Sequence, residues 1–326
     1  MPPLLKEIHV SHPVVLGVLA SYPTARWTRI AALAFALGAA ACVTTPAESS
    51  DEQGVQAQLL APASTETCPN EDAETADART SIARVRAMAG LPALRCDQAA
   101  VGAATRHCDY VVANNELTHE EQPGRPAYFA QSFDQRLAKE GFSEHANAEV
   151  LTSLTGKGAL DDWRGLVNSV YHRAPFLRAE NTSFGYGHGI ACATIDFGHD
   201  AAKAAPMRVV VWPPMGATNV PPSFRADHET PNPLPGATTI GSPVSLVGGA
   251  PSLTFGATMT GPNGRVDAVL RTAKDDAAHL VRKGEVHLMP LAPLAERGVY
   301  TVHFVGVSAD GTTALDVTTT FTTGDN

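Results

Sequence analysis

The chain has 326 residues, 44% hydrophobic and 17% charged, with a formal net charge of -9. That length allows two ordinary domains with cores of their own. An acidic chain without a basic stripe lacks the clustered Lys and Arg that phosphate backbones require, and a 6% aromatic share offers no stacking platform, so nucleic acid is excluded as a partner.

In chain order, Arg26 and Arg29 precede an unbroken apolar and small-residue run from Ile30 to Ala41, and Cys42 follows. A charged start, a short apolar run and small residues before a cut site make a secretory signal. The run is about twelve residues, short of the roughly twenty a bilayer span needs. Small residues leading into a cysteine point further, to a lipoprotein signal with Cys42 as the lipidated, membrane-anchoring residue. Against this, Ala39 stands where an aliphatic residue is usual. Residues 1–25 carry a weaker apolar patch (Val14 to Ala20) and are expected to precede the native start. Residues 43–75, rich in Ser, Thr, Pro, Ala and acids, read as a flexible linker.

Helical spacing begins near Ala76, with Ile82, Val85 and Met88 on one stripe and a stop at Gly90 and Pro92. Asp97 is the expected N-cap of a second helix whose stripe is Val101, Ala104, Cys108 and Val111, ending by Asn114 and Asn115. A third helix is expected over roughly Pro126 to Glu140, stopped by Gly141. A strand over 146–154 leads to a turn, and a fourth helix is expected from about Ala159 to Tyr171. Gly-rich alternation in SFGYGHGIACATIDFG then reads as strands. After Pro206 the texture becomes short strands between Pro and Gly, seven or so in about 120 residues, which describes a β-sandwich of immunoglobulin size. Near the end, the Asp310–Gly311 pair is a hairpin turn signal.

Beyond Cys42 the cysteines are Cys68, Cys96, Cys108 and Cys192. An even number in an exported chain points to disulfides, with three connectivities open and buried free thiols as the alternative. No C-x-x-C pair occurs, which excludes a zinc ribbon.

Several stretches resemble, in order, the motifs of the CAP superfamily, which contains the sperm-coating, cysteine-rich secretory and pathogenesis-related proteins, and specifically its bacterial secreted branch. They are RVRAMAGLPALRCDQAAVGAATRHCDYV, ELTH, QSFDQRLAKEGF, NAEV, VNSVYHRAPFL and GYGHGIACATIDFG. The resemblance implies an α+β chain. A signal segment (1–42) and linker (43–75) precede a CAP-type α-β-α sandwich over 76–202 and an all-β immunoglobulin-like sandwich over 206–326. It also implies a site in which His119 and His172 face one another across a cleft, with Glu149 as third ligand or as orienter of an imidazole and Ser169 as a polar wall. Such a set would suit a divalent ion such as Zn²⁺. The chain departs from the pattern: Ala148 and Val150 flank the glutamate, Leu166 replaces a tryptophan, and Ser169 stands where eukaryotic members carry a second glutamate.

Two readings of function follow. One is an exported, secreted or lipid-anchored binding module whose cleft holds a divalent ion or a small apolar or cell-envelope ligand. The other is a metal-dependent hydrolase acting on peptide or envelope material. The residues favour the first, because no full set of nucleophile, general acid and oxyanion donors can be assembled. Ser169 has no G-x-S-x-G elbow around it, and HEEQP lacks the second histidine of a zincin. Among neighbouring residues, Arg173 reads as a helix-terminal charge, His107 as a packed or partly exposed histidine, and His145 as a loop histidine. Asn181 heads a glycosylation-type triplet that is uninformative in a bacterial export context.

Overall fold

The computed structural model describes residues 67–153 and 165–325. The signal segment, Cys42 and the linker up to residue 66 lie outside them, as does the first part of the expected fourth helix, residues 159–164.

Helix α1 (Ala73–Met88) starts just before the expected stripe because the Asp72 carboxylate accepts from the Thr75 amide at 2.8 Å. A two-residue strand β1 (Arg95–Cys96) leads to Asp97, whose side chain caps α2 (Gln98–Asn114) at the Ala99 and Ala100 amides. That helix ends on Asn115 in the left-handed region at φ 49°. Helix α3 covers only Phe133–Glu140, between Ser132 and Gly141. The expected earlier turns do not form, because the Glu121 carboxylate takes the Phe129 and Ala130 amides and Ala127 has a positive φ.

Strand β2 (His145–Thr152) is followed, after the undescribed residues, by helical residues 165–168. Ser169 to His172 form a bend and turn rather than the end of a helix, and a short α4 (Arg173–Leu177) follows. Strands β3 (Asn181–Gly189) and β4 (Cys192–His199) pair antiparallel. They complete a sheet of order β1-β3-β4-β2, with β1 parallel to β3 and β2 antiparallel to β4. Helix α2 rests directly on β3. A Cβ at Gly185 would come within 2.0 Å of the Ala100 backbone, and one at Gly187 within 2.1 Å of the Thr105 amide, so only glycine admits this approach. Disulfides Cys68–Cys96 and Cys108–Cys192 resolve the open connectivity, the second tying α2 to β4.

The rest is all β. Strands β5 (Val210–Trp212), β6 (Ala217–Val220), β7 (Ser223–Arg225), β8 (Thr239–Gly241), β9 (Val244–Val247), β10 (Thr254–Gly261), β11 (Gly264–Arg265), β12 (Ala268–Thr272), β13 (Val286–Pro290), β14 (Val299–Val307) and β15 (Thr313–Thr323) outnumber the seven expected. They form a five-stranded sheet β11-β10-β14-β15-β6, a four-stranded sheet β12-β13-β9-β5 and a small β7-β8 pair. The two larger sheets share one core containing Val244, Leu246, Val286, Leu288, Val302, Phe304 and Phe321. Tyr300, Val302 and Phe304 point inward as the alternation predicted. The Asp310–Gly311 turn sits inside a five-residue connection, 308–312, with a register shift at Gly306/Val307, so it is not a two-residue hairpin loop.

Apolar packing continues across residue 206. Val210, Trp212 and Val247 belong to the same cluster as Leu91, Phe176 and Ile195, while Val170 packs with Ala226, Ile240 and Met289.

Candidate functional site

Five ionisable side chains meet where α2 and α3 cover the sheet. His107 on α2, Glu121 in the following loop, Arg136 on α3, Glu149 on β2 and Asp196 on β4 are all buried. Glu149 and Asp196 are register partners on adjacent strands, which puts two carboxyl groups side by side. Glu149 Oε2 accepts from Arg136 Nη2 at 2.6 Å, and Oε1 accepts from His119 Nδ1 at 2.8 Å. Burial would raise the Glu149 carboxyl, but the His119 hydrogen bond and the charges of His107 and Arg136 outweigh it and hold the group down at about 2.

His107 Nδ1 lies 3.0 Å from Glu121 Oε1, and Nε2 lies 2.7 Å from the Thr118 carbonyl. A carbonyl only accepts, so Nε2 carries a hydrogen. Glu121 Oε2 takes the Phe129 and Ala130 amides. Asp196 has no hydrogen-bond partner for either oxygen as a carboxylate. Burial, and next to it the Glu149 charge, push its carboxyl well above the usual range. A lone buried charge is costly; here Glu149 is paired with Arg136, and Asp196 is neutral.

His119 is the solvent-facing member, with its side chain 48% exposed. With Nδ1–H committed to Glu149, no described residue bonds Nε2, which is left as a lone-pair acceptor.

His172 is held in a parallel way by a different carboxylate. Glu229, in the turn after β7, accepts from the Val170 amide at 2.8 Å, the Tyr171 amide at 2.7 Å, the His172 amide at 3.3 Å and His172 Nδ1 at 2.9 Å. Burial would raise the Glu229 carboxyl. The His172 hydrogen bond and the Val170 and Tyr171 amides overcome that and lower it. Ser169 Oγ donates to the Leu166 carbonyl at 2.7 Å and lies 3.5 Å from His172 Nδ1. Its hydrogen is thus already placed, and its oxygen can only accept from the ring.

Residues 80–197 match the family model of the cysteine-rich secretory protein family, CAP. The chain carries a CAP domain. No curated protein matches it. Among solved structures, an extracellular SCP-domain protein of Bacillus anthracis str. Ames is 19% identical at TM-score 0.35, covering 39% of this chain and 41% of its own. This chain therefore spans less than half of that protein. An outer surface protein of Borrelia burgdorferi is 20% identical at TM-score 0.32, covering 37% of this chain and 88% of its own. The copper resistance protein PcoC of Escherichia coli is 20% identical at TM-score 0.23, covering 35% of this chain and 94% of its own.

Within the CAP domain, the structure joins His119 to Glu149 and joins Ser169 to His172. Among the described residues no group of three or more His, Cys, Asp or Glu is placed to hold a metal ion. Glu149 is committed to Arg136 and His119, so among the described residues a divalent ion would find no third protein ligand beside an imidazole. The described residues therefore do not fit a resident metal of the usual three or four protein donors.

Of three neighbouring residues, one is packed as expected and two differ from expectation. His107 is fully buried at the centre of the cluster. His145 sits on β2 opposite His199, its ring 6.4 Å from that ring. Arg173 opens α4 rather than closing a helix, and it is buried, donating to the Val167 and Pro243 carbonyls and to Ser245 Oγ. Burial lowers its guanidinium to about 9.

Sequence reading missed Glu121, Arg136, Asp196 and Glu229. Two of these carried a signal. Asp196 is a lone acid within the apolar run CATIDFG, and Arg136 shares a helical face with Phe133 and Leu137. Glu229, 57 residues beyond His172, carried none.

Proposed function

We propose that the protein works outside the cytoplasm as a binding module, secreted or anchored through Cys42, whose CAP-domain cleft holds a small cell-envelope ligand. The observation that carries this reading is the pair of histidines, each tied at Nδ1 to a buried carboxylate and each with no Nε2 partner among the described residues. Such a ring is a fixed hydrogen-bond acceptor for a hydroxyl, amide or ammonium group of a ligand. It is a polar handle that would orient a ligand at this site. The export signal at Ile30 to Cys42 and the two disulfides support the compartment, since disulfides persist where thiols are not kept reduced. Zn²⁺ would bind here only with donors brought by the ligand or by water.

Against the hydrolase reading, Ser169 has its hydrogen on a backbone carbonyl, Glu149 is engaged with Arg136 and His119, and Glu229 with backbone amides. The test is retention of envelope lipids and peptidoglycan fragments by the full chain, read by native mass spectrometry beside His119→Ala. A small molecule held by the wild type and lost from the variant supports the reading. No retention, or equal retention by both, overturns it. Chelator-sensitive cleavage of the same fragments would instead establish the hydrolase.

A further inference from the structure

We propose that Glu229 is a positioning residue of the CAP-domain site: a carboxylate delivered by the β-sandwich half holds His172 in its Nδ1–H form and leaves Nε2 as the free acceptor. This rests on the reading above that His172 is a ligand-facing base.

Glu229 is buried, and both its oxygens receive N–H donors, Oε2 from Val170 and Oε1 from Tyr171, His172 and the imidazole. Successive amides of one turn converging on a carboxylate make a backbone nest, which favours the ionised acid. An ionised Glu229 only accepts, so the hydrogen of the 2.9 Å contact belongs to His172 Nδ1. Ser169 agrees, since its own hydrogen lies on Leu166 and its oxygen too can only accept from that nitrogen. Among the described residues nothing bonds His172 Nε2. Position 169, where the resembled eukaryotic members carry their second glutamate, is a serine here, and the carboxylate beside His172 comes from another part of the chain.

The segment around His172 is built to receive that half. Tyr171 donates its hydroxyl to Asp276 at 2.8 Å, Arg173 donates to Pro243 and Ser245, and Arg178 forms a two-point ion pair with Glu285 at 2.7 and 3.1 Å. From Tyr171 to Arg178, then, the strong donors reach across to the sandwich. Glu229 is held in register with His172 by fixed contacts on both sides, which is what orienting an imidazole requires. A merely structural Glu229 would tie the two halves together with no consequence for which ring nitrogen is free.

The tautomer is directly observable. The full chain is labelled with ¹⁵N-histidine, and long-range ¹H–¹⁵N spectra are recorded at about pH 8.5, some two units above the ordinary histidine pKa of about 6.5. His172 is assigned by its loss in His172→Ala. The expected wild-type pattern is Nδ1 protonated and Nε2 bare for His172, and the same for His119. In Glu229→Ala, His172 should move toward the Nε2–H form while His119, held by Glu149, stays unchanged. Glu229→Asp, which keeps the carboxylate on a shorter stem, should restore part of the wild-type pattern. An Nε2–H or doubly protonated His172 in the wild type overturns the proposal, even if Glu229→Ala fails to fold. So does a folded Glu229→Ala with an unaltered tautomer. Because no ligand enters the measurement, a protein that binds nothing but gives the expected spectra would contradict the proposed function and leave the role of Glu229 standing.

Discussion

Glu149 and Glu229 are both buried carboxylates that hold a histidine by Nδ1, and they are kept ionised by opposite means. Around Glu149 the compensation comes from side-chain charges, Arg136 and His107, within one domain. Around Glu229 it comes from the His172 imidazole together with the backbone amides of that residue's own turn, in the other half of the chain. A charge balanced by charges fails if any one partner is removed. A charge balanced by amides fails when the two halves part. The first arrangement is a feature of the CAP domain alone; the second makes the sandwich part of the site.

The largest expected effect is at Arg136. Arg136→Met leaves Glu149 buried without its main partner and should cost about 3–5 kcal/mol of unfolding free energy, measured by urea denaturation. A loss under about 1 kcal/mol would mean that the cluster is hydrated and not balanced as described. Next comes Glu229→Ala, which orphans the amides of Val170, Tyr171 and His172. We expect a loss of about 1–3 kcal/mol that appears in near-UV signals from both halves together.

The third effect has the opposite sign. Asp196 is protonated in the fold and ionised when unfolded above its ordinary value of 3.8. The native state therefore binds the extra proton, and this group's contribution to stability falls as pH rises from about that value. Asp196→Asn removes the dependence and offers Glu149 an N–H donor. It should stabilise the chain by on the order of 1 kcal/mol at pH 8 and change little near pH 4. Glu149 works the other way, its contribution being present above 4.5 and lost as pH falls through about 2. Equal gains for the asparagine variant at both pH values would contradict a neutral Asp196. The smallest effect is expected for His119→Ala, less than about 1 kcal/mol, because the ring is half exposed and Glu149 keeps Arg136.

These residues also mark how far the sequence could be read. Local chemistry announced itself: Asp97, Asn115 and Gly141 cap helices where expected, and Tyr300, Val302 and Phe304 alternate inward. The CAP motifs implied a set of His119, His172 and Glu149 with the glutamate as ligand or as orienter of an imidazole; in the structure Glu149 bonds His119. What stayed illegible depends on contacts distant in the chain. The third helix lost its first turns to Glu121, whose carboxylate takes the amides of Phe129 and Ala130. Arg173, read as a terminal charge, is a buried anchor because Pro243 and Ser245 meet it from 70 residues away or more. Spacing rules see three or four residues along one element, and Glu229 lies beyond their reach.

The central claim is that the two halves form one unit joined through Tyr171, His172, Arg173 and Arg178. Differential scanning calorimetry of the full chain tests it most directly. The account predicts a single transition with equal calorimetric and van't Hoff enthalpies, shifted as a whole to lower temperature by Glu229→Ala. Two separable transitions in the wild type, only one of them moved by that substitution, would contradict it.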